Sequence, residues 1–337
     1  MQCKMCIRAE SEDWRFQDMR LEDFKKLLPY LKDVETVVLE GWGESLLHDH
    51  LAECIALVKE RGPEVGFVTS AKGLTGNRIE ALIDAGLDFV GFSIAGTTEA
   101  THDAIRVNSR LSEVLDAIRS FNEVKMRRRL SRPRMHLVFL MLKANMFEAP
   151  EVPSLAKELG IKEVVFTNIC HWINTWQEEQ RVFEWGARKN EYETILKQAR
   201  INARALGIGL RTSSLCASDA PVCEENPLRT LYISAEGEVS PCVYLYPPLP
   251  VHFKRIFCSQ EYWIERLSFG NIFRESFDTI WQKESYVRFR ERFLLRRKAF
   301  EDRYGWLAGR GEIKKPDDTP FPDPPDVCRT CHKMLGV

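Results

Sequence analysis

Apolar and polar residues alternate over the first 210 residues in a pattern that predicts strands followed by helices. Apolar residues recur three and four positions apart over residues 21–34, 51–60, 79–85, 111–121, 152–159 and 191–206, which is typical of amphipathic helices. Short apolar runs predict strands at residues 36–39, 65–69, 89–94, 135–142 and 163–166. The first run, bounded by Gly41 and Gly43, is expected to be buried, and Pro29 is expected to kink or shorten the first helix.

This order of elements predicts an α/β fold with a parallel sheet that curls into a barrel or part of one. Active sites in such folds lie at the carboxyl ends of the strands. Beyond residue 206 the alternation gives way to clustered cysteines and a hairpin signal at residues 234–238. We therefore place a domain boundary near residue 210, which divides the chain into residues 1–210 and 211–337.

Composition narrows the class of protein. The 337 residues are 44% hydrophobic, and 48 Lys and Arg balance 49 Asp and Glu, so no basic field is available to attract nucleic acid. We find no secretory signal and no apolar run of about 20 residues, so we expect a cytoplasmic protein that does not act at a membrane. Cytoplasmic thiols stay reduced, so the clustered cysteines among the ten are expected to bind metal rather than form disulfides.

Several short motifs follow one another along the first domain. The pair Cys3 and Cys6 forms a CxxC motif, which alone fits zinc, redox or iron–sulfur chemistry. The strand at residues 36–39 leads into a loop with two glycines and a carboxylate, Glu44. Ser93 lies in a later strand, and Arg106 follows it after a short connection.

These motifs, in this order, resemble those of the radical S-adenosylmethionine (SAM) enzymes. Their partial (β/α)6 barrel begins with a CxxxCxxC loop, and the next strand ends in a Gly-Gly-Glu-Pro motif. Cys3 and Cys6 look like the last two cysteines of that loop, and residues 42–45 look like the second motif. The resemblance implies a [4Fe-4S] cluster with one open iron. It also implies that reduction cleaves SAM to a 5′-deoxyadenosyl radical, which abstracts hydrogen from a substrate.

The resemblance also assigns residues to the SAM site. It implies that Gly43 belongs to the binding loop and that Glu44 binds the amino group of SAM. Ser93 and Arg106 are implied to hold the ribose and the carboxylate, and the strand of Val138 is implied to flank the adenine.

The sequence departs from this family at its start. The first cysteine of the CxxxCxxC loop belongs two positions before Met1, and the strand that precedes the loop belongs before that. Because the other motifs are present, we expect a start site assigned too late or a truncated chain rather than a degenerate enzyme. As written, the strand at residue 36 is expected to have an unpaired edge, and the chain is expected to cleave SAM poorly.

The cysteines of the last part resemble a SPASM domain, the auxiliary-cluster module of some radical SAM enzymes. The resemblance implies one auxiliary [4Fe-4S] cluster, held by Cys223, Cys242, Cys328 and Cys331, with Cys216 as an alternative ligand. Cys258 is a further candidate. On spacing alone the four thiols fit structural zinc equally well. Cys54 and Cys170 are expected to pack as small buried hydrophobic residues.

We therefore predict a radical SAM enzyme with one SPASM-type auxiliary cluster. Its substrate is expected to be a peptide, a protein side chain or a cofactor precursor, and its electron donor a protein such as ferredoxin or flavodoxin. Two alternatives stay open. One is a non-catalytic binding module stabilised by zinc or a cluster, and the other is a radical SAM enzyme that modifies RNA, which the nearly neutral charge disfavours.

Overall fold

The computed structural model describes residues 2–185, 191–304 and 320–337. Its strands are β1 (Thr36–Val38), β2 (Glu64–Thr69), β3 (Phe89–Ile94), β4 (Arg134–Met141), β5 (Glu163–Asn168), β6 (Glu184–Trp185), β7 (Gly209–Thr212), β8 (Cys216–Ala217), β9 (Tyr232–Ile233), β10 (Val239–Ser240), β11 (His252–Phe257) and β12 (Gln260–Glu265). Its α-helices are α1 (Leu21–Lys25), α2 (Leu51–Lys59), α3 (Gly76–Asp84), α4 (Glu99–Ile105), α5 (Leu111–Arg128), α6 (Val152–Glu158), α7 (Thr175–Glu179), α8 (Glu193–Leu206), α9 (Phe277–Gln282) and α10 (Glu284–Tyr304).

A six-stranded parallel sheet in the order β1-β2-β3-β4-β5-β7 forms the centre of the molecule. Adjacent strands are in register, so that Ser93 of β3 pairs with Val138 of β4, and Val138 pairs with Val165 of β5. Helices connect successive strands, and their apolar faces pack on the sheet. The structure therefore confirms the predicted α/β fold with a parallel sheet.

The first elements differ from their prediction. Of the helix expected over residues 21–34, only α1 forms, and a 3-10 helix over Leu28–Asp33 follows it. The α-helix does not continue because Pro29 lacks the backbone N–H that a continuous helix requires. The prediction that the strand at residue 36 is buried is wrong. Val38 is 47% exposed, because β1 pairs with β2 and forms an edge of the sheet as the structure describes it.

Aromatic residues fill the space between the sheet and its helices. Phe92 of β3 packs edge-on against Phe121 of α5, with ring centroids 5.8 Å apart, and Phe139 of β4 lies 5.0 Å from Phe166 of β5. All four side chains are fully buried. This core fixes the strands, and their carboxyl ends can therefore position polar side chains.

Two β-hairpins build the auxiliary part of the molecule. The first joins β9 and β10 through Gly237, whose φ of +86° is a left-handed conformation that glycine adopts without strain. The second joins β11 and β12 through Cys258 and Ser259, which both have positive φ angles. Positive φ at both turn positions is typical of a type I′ turn, which is usually formed by Asn-Gly, so the Cys258-Ser259 pair does not signal this hairpin.

The predicted domain boundary near residue 210 falls inside β7, which pairs with β5, so the central sheet continues to Thr212. The division into residues 1–210 and 211–337 stays a prediction. In the described ranges, no helix combines the length and the apolar character that crossing a bilayer requires.

Candidate functional site

Glu44 lies in the loop that follows β1, beside the carboxyl end of β2. Its Oε1 accepts hydrogen bonds from the Thr69 hydroxyl at 2.5 Å and the Leu46 amide at 3.3 Å, and its Oε2 accepts from the Ser70 amide at 2.9 Å and the Ser70 hydroxyl at 2.7 Å. These bonds fix the position of the carboxylate. A Cβ atom added at neighbouring Gly43 meets no atom within 4 Å, so the space beside this backbone is open.

Arg106 follows α4 and points back to β3. Its Nη2 donates a hydrogen bond to the hydroxyl of Ser93, and its buried Nε has no hydrogen-bond partner. Burial lowers the pKa of Arg106, and the nearby charges of Cys3, Glu44 and Cys6 oppose that shift. The guanidinium therefore lies close enough to these three groups to interact with them electrostatically.

The CxxC loop lies against the backbone on both sides of Arg106. The Gln2 amide donates to the Val107 carbonyl at 2.9 Å, and the Lys4 amide donates to the Ile105 carbonyl at 3.1 Å. Within the loop, the Cys6 amide donates to the Cys3 carbonyl at 3.0 Å. Burial raises the pKa of the Cys3 thiol, and the charge of Arg106 opposes this. The structure thus brings Cys3, Cys6, Glu44, Ser93 and Arg106 together.

Val138 lies beside this group, because its strand is the direct neighbour of Ser93. Ser93 and Val138 are both partly exposed on the same register row of the sheet, whereas the residues next to Val138 in β4 are buried. The predicted adenine-flanking strand therefore presents an accessible apolar position next to the polar group.

Two buried side chains that the sequence reasoning did not assign to the site support α4. Glu148 accepts hydrogen bonds from the backbone and side chains at the start of α4, including the Thr98 hydroxyl at 2.7 Å. His102 accepts from the Ala95 amide at 3.2 Å through Nδ1, and its own carbonyl accepts from the Arg106 amide at 2.8 Å. Because α4 ends at Arg106, these contacts fix the guanidinium indirectly.

The second site consists of four thiols that come from distant turns: Cys223, Cys242, Cys328 and Cys331. Burial, and then the charge of Cys331, raise the pKa of each of the other three thiols. The Cys331 amide donates to the Cys328 carbonyl at 3.1 Å, which is the same turn that Cys3 and Cys6 form. In residues 2–185, 191–304 and 320–337, no three His, Cys, Asp or Glu side chains lie close enough to hold one metal ion.

Buried cations connect the turns that carry these thiols. Arg255 of β11 is 1% exposed and donates to the Val327 carbonyl at 3.0 Å and the Tyr244 carbonyl at 3.3 Å. Lys333 lies 2.8 Å from Glu224 and so joins the second CxxC turn to the turn of Cys223. The sequence reasoning missed Arg255, since nothing in a strand of mixed residues marks one arginine as buried.

The remaining cysteines lie elsewhere. Cys216 pairs with Glu184 between β8 and β6. Cys258 is exposed at the turn of the second hairpin. Cys54 and Cys170 are buried, and burial raises the pKa of Cys170 to about 12.

A cavity of about 450 Å³ separates the loop after β1 from the auxiliary turns. Glu40, Trp42, Glu225, Cys242 and Tyr244 are among the residues that line it. The indole nitrogen of Trp42 donates to the Val243 carbonyl at 3.1 Å, which links the Glu44 loop to the Cys242 turn. The cavity therefore lies between the loop that leads to Glu44 and the turn of Cys242.

Two parts of the sequence match known families. Residues 1–152 match the radical SAM superfamily, and residues 223–304 match SPASM, an iron–sulfur cluster-binding domain. The chain therefore has a radical SAM domain followed by a SPASM domain. These are the two domains that its sequence motifs resemble.

Two curated proteins are similar to the radical SAM chain over most of its length. It is 23% identical over 293 residues to the tungsten-containing aldehyde ferredoxin oxidoreductase cofactor-modifying protein of Pyrococcus furiosus, covering 86% of this chain and 80% of that protein. It is 24% identical over 246 residues to the PqqA peptide cyclase of Bradyrhizobium diazoefficiens, covering 72% of this chain and 63% of that protein.

Solved structures share the fold. Streptococcus suis SuiB bound to S-adenosylmethionine aligns with a TM-score of 0.61 at 14% identity, covering 86% of this chain and 64% of SuiB. SuiB bound to precursor peptide SuiA aligns with a TM-score of 0.55 at 12% identity, covering 99% and 67%. The radical SAM chain thus spans less than two thirds of SuiB in the SAM-bound structure.

The residues at the carboxyl end of the sheet fit the groups that this superfamily uses. The unpartnered Nε of Arg106 suits a carboxylate, the fixed Glu44 carboxylate suits an amino group, and open space lies beside Gly43. Thiolates of Cys3 and Cys6 suit iron.

Proposed function

We propose that this protein is a radical SAM enzyme that modifies a peptide substrate. The observation that carries the proposal is the convergence of Cys3, Cys6, Glu44 and Arg106 at the carboxyl end of the sheet, together with a separate set of four thiols. A peptide is favoured because one similar protein is named a peptide cyclase and SuiB was solved with a precursor peptide. A cofactor precursor is the second candidate, since another relative is named a cofactor-modifying protein.

In this proposal the residues around Arg106 bind and orient SAM. Glu44 binds the amino group, and the guanidinium of Arg106 neutralises the carboxylate, to which its free Nε can donate. Ser93 binds the ribose, and Val138 packs on the adenine. When bound to Cys3 and Cys6, an iron–sulfur cluster would supply the one electron needed to cleave SAM to methionine and a 5′-deoxyadenosyl radical, which abstracts hydrogen.

We propose that Cys223, Cys242, Cys328 and Cys331 hold one auxiliary [4Fe-4S] cluster, with Cys216 as the alternative ligand. The match of residues 223–304 to an iron–sulfur cluster-binding domain favours iron over zinc. The cavity between Trp42 and Cys242 is the proposed substrate space, because it is lined by the loop that leads to Glu44 and by the turn of Cys242. We also propose a cytoplasmic location and a one-electron donor such as ferredoxin or flavodoxin.

The test compares two proteins that each carry two additional residues at the N-terminus and that differ only in one side-chain atom, sulfur or oxygen. One carries Cys-Gly before Met1, which places a third thiol at the CxxxCxxC position, and the other carries Ser-Gly. After anaerobic reconstitution and reduction with dithionite, 5′-deoxyadenosine is measured. Because losing an outer-shell partner of a metal site costs about 10–100-fold, losing a ligand is expected to reduce cleavage by roughly 100-fold or more in the Ser-Gly protein. Equal absence of cleavage in both proteins, with iron bound at the auxiliary site, would instead support the non-catalytic binding module.

A further inference from the structure

Arg255 of β11 is a buried cation without a carboxylate partner. The residue is 1% exposed, and its guanidinium donates hydrogen bonds to the Val327 and Tyr244 carbonyls at 3.0 and 3.3 Å. Across residues 2–185, 191–304 and 320–337, no Asp or Glu oxygen lies within 4.0 Å of the guanidinium nitrogens. Burying a charge is costly unless an opposite charge lies near it, so this guanidinium fits an anion other than Asp or Glu.

Two other buried cations show how a charge is balanced in this protein. Arg296 of α10 is also 1% exposed, but it donates to the Asp219 carboxylate. Lys333 is 5% exposed and lies 2.8 Å from Glu224. Arg255 is as deeply buried as Arg296 and has no such partner in the described part of the chain, so its charge is not compensated in the same way.

The two carbonyls place Arg255 between turns that carry the auxiliary thiols. Val327 immediately precedes Cys328, and Tyr244 lies two residues beyond Cys242. Burial and the charges of the other three thiols raise the pKa of the Cys328 thiol, and the charge of Arg255 opposes that rise. The thiols are therefore anionic groups near the guanidinium once they lose their protons.

A cluster bound to these thiols would supply the missing negative charge. A [4Fe-4S] cluster with four thiolate ligands is an anion, and its reduction adds a further negative charge. Attraction to a fixed cation grows with that charge, so a nearby guanidinium stabilises the reduced form more than the oxidised form. Solvent and salt screen this attraction weakly, because Arg255 is withdrawn from water.

We propose that Arg255 is the counter-cation of the auxiliary cluster and raises its reduction potential. The inference rests on the proposed function, because it assumes that Cys223, Cys242, Cys328 and Cys331 hold an iron–sulfur cluster. Arg255 acts on the cluster and not on the substrate, so it is a positioning residue rather than a catalytic one. Its bonds to two carbonyls hold the guanidinium in place, and its charge favours the reduced cluster.

The test separates the charge of Arg255 from its hydrogen bonds. Arg255→Gln removes the charge and keeps an amide donor, whereas Arg255→Lys keeps the charge and an ammonium donor. Neither side chain reproduces the fork of the guanidinium, so a purely structural effect changes both variants alike. Lys254→Gln is the control, because it removes a neighbouring, partly exposed cation that pairs with Glu261 at 3.0 Å.

The readout is the midpoint potential of the auxiliary cluster. All proteins carry Cys3→Ser and Cys6→Ser, so this cluster is the only one that is measured. After anaerobic reconstitution, EPR spectra recorded at a series of poised potentials give the ratio of reduced to oxidised cluster. At a fixed potential the ratio is expected to fall roughly 10-fold in R255Q, which corresponds to a midpoint about 59 mV lower. It is expected to change less than about threefold in R255K and in K254Q.

Three shifts in the midpoint overturn the proposal. The first is an equal midpoint in R255Q and its parent. The second is an equal shift in R255Q and R255K, which indicates loosened packing. The third is an equal shift in R255Q and K254Q, which indicates a general effect of charge on the protein.

Cluster content decides the remaining cases. If R255Q retains no cluster, a full complement of iron in R255K supports the counter-cation, whereas loss in both variants overturns it. If the parent itself binds no iron–sulfur cluster, the proposed function fails at this site and the role of Arg255 fails with it. An intact cluster with an unshifted midpoint in R255Q overturns the role of Arg255 alone.

Discussion

The two thiol sites of this protein are built in different ways. Glu44, Ser93 and Arg106 lie in or beside consecutive parallel elements, so the sheet determines their positions. The four auxiliary thiols lie on turns that are distant in sequence, and Arg255 and the Lys333–Glu224 pair connect those turns. The comparison suggests that the first site is formed by the fold, whereas the second depends on a few buried contacts and on the cluster itself.

The largest expected effect is the loss of auxiliary iron when one of the four auxiliary thiols is removed. Cys242→Ser is expected to abolish the auxiliary cluster, with a loss of about four irons per chain, because a cubane takes four protein ligands. Cys258→Ser, at the exposed turn of the second hairpin, is the matched control and is expected to retain all iron. Iron and sulfide analysis of the reconstituted proteins measures this. Equal iron in C242S and its parent contradicts the assignment.

The next effect tests whether Arg255 connects the auxiliary turns. Arg255→Leu leaves the Val327 and Tyr244 carbonyls without their donor, at a cost of about 1–3 kcal/mol for each buried group. Lys254→Leu changes the neighbouring, partly exposed cation and is expected to cost less than about 1 kcal/mol. Chemical unfolding and auxiliary iron content measure the two variants. If R255L and K254L unfold alike and bind equal iron, Arg255 does not connect the auxiliary turns.

A smaller effect tests whether the fold keeps His102, which supports α4 beside the proposed SAM site, in its neutral form. Burial lowers the pKa of His102 to about 4, whereas an unfolded histidine titrates near 6.5. The unfolded chain therefore binds more protons between pH 6.5 and 4, so this residue's contribution is complete above pH 6.5 and is lost as the pH falls through that window. From pH 7 to pH 5 the loss is about 2 kcal/mol.

His102→Gln removes this titration, so its free energy of unfolding is expected to fall less steeply with acid than that of the parent. His50, with an exposed side chain, provides the control variant His50→Gln. Urea unfolding at pH 7, 6 and 5 measures the slopes. Identical slopes for H102Q and H50Q mean that His102 is not kept neutral by the fold.

The smallest effect tests Glu44 itself. Glu44→Gln keeps the shape of the side chain but removes the charge that is proposed to bind an ammonium group, so SAM affinity is expected to fall roughly 10-fold. Glu53→Gln, on the surface of α2, is the control and is expected to leave affinity unchanged. Equilibrium dialysis with labelled SAM gives the two dissociation constants. Equal affinity in E44Q and E53Q removes Glu44 from the site.

The difference between the two sites also explains what the sequence could predict. Most of the predicted elements from α2 to α8 lie within about three residues of their predicted bounds, because each buries one apolar face on the same sheet. Helix α5 instead continues to Arg128, well beyond its predicted end at residue 121, and the short elements α4, α7 and β6 were not predicted. The order of the strands brings Glu44 and Arg106 to the carboxyl end of the sheet, as the order of the motifs along the sequence implied. The early helix was predicted too long because the cost of Pro29 depends on whether packing can compensate for it.

The auxiliary part was predicted less well for a physical reason. Its cysteines could be grouped by their resemblance to a known module, but the β11–β12 hairpin turns on Cys258 and Ser259, which rarely adopt positive φ. The Ser259 amide donates to Glu178 at 2.7 Å, so a distant carboxylate stabilises this turn. The burial of Arg255 likewise depends on carbonyls from two other turns, which local sequence does not reveal.

The central claim is that SAM chemistry belongs to the sheet and is separable from the four-thiol site. The most direct test measures 5′-deoxyadenosine formation by Cys242→Ser in the Cys-Gly-extended chain, reduced anaerobically. Because independent sites contribute separately, the account predicts cleavage within about threefold of the parent even though auxiliary iron is lost. Loss of cleavage in parallel with loss of auxiliary iron, in a variant that stays folded, would contradict it.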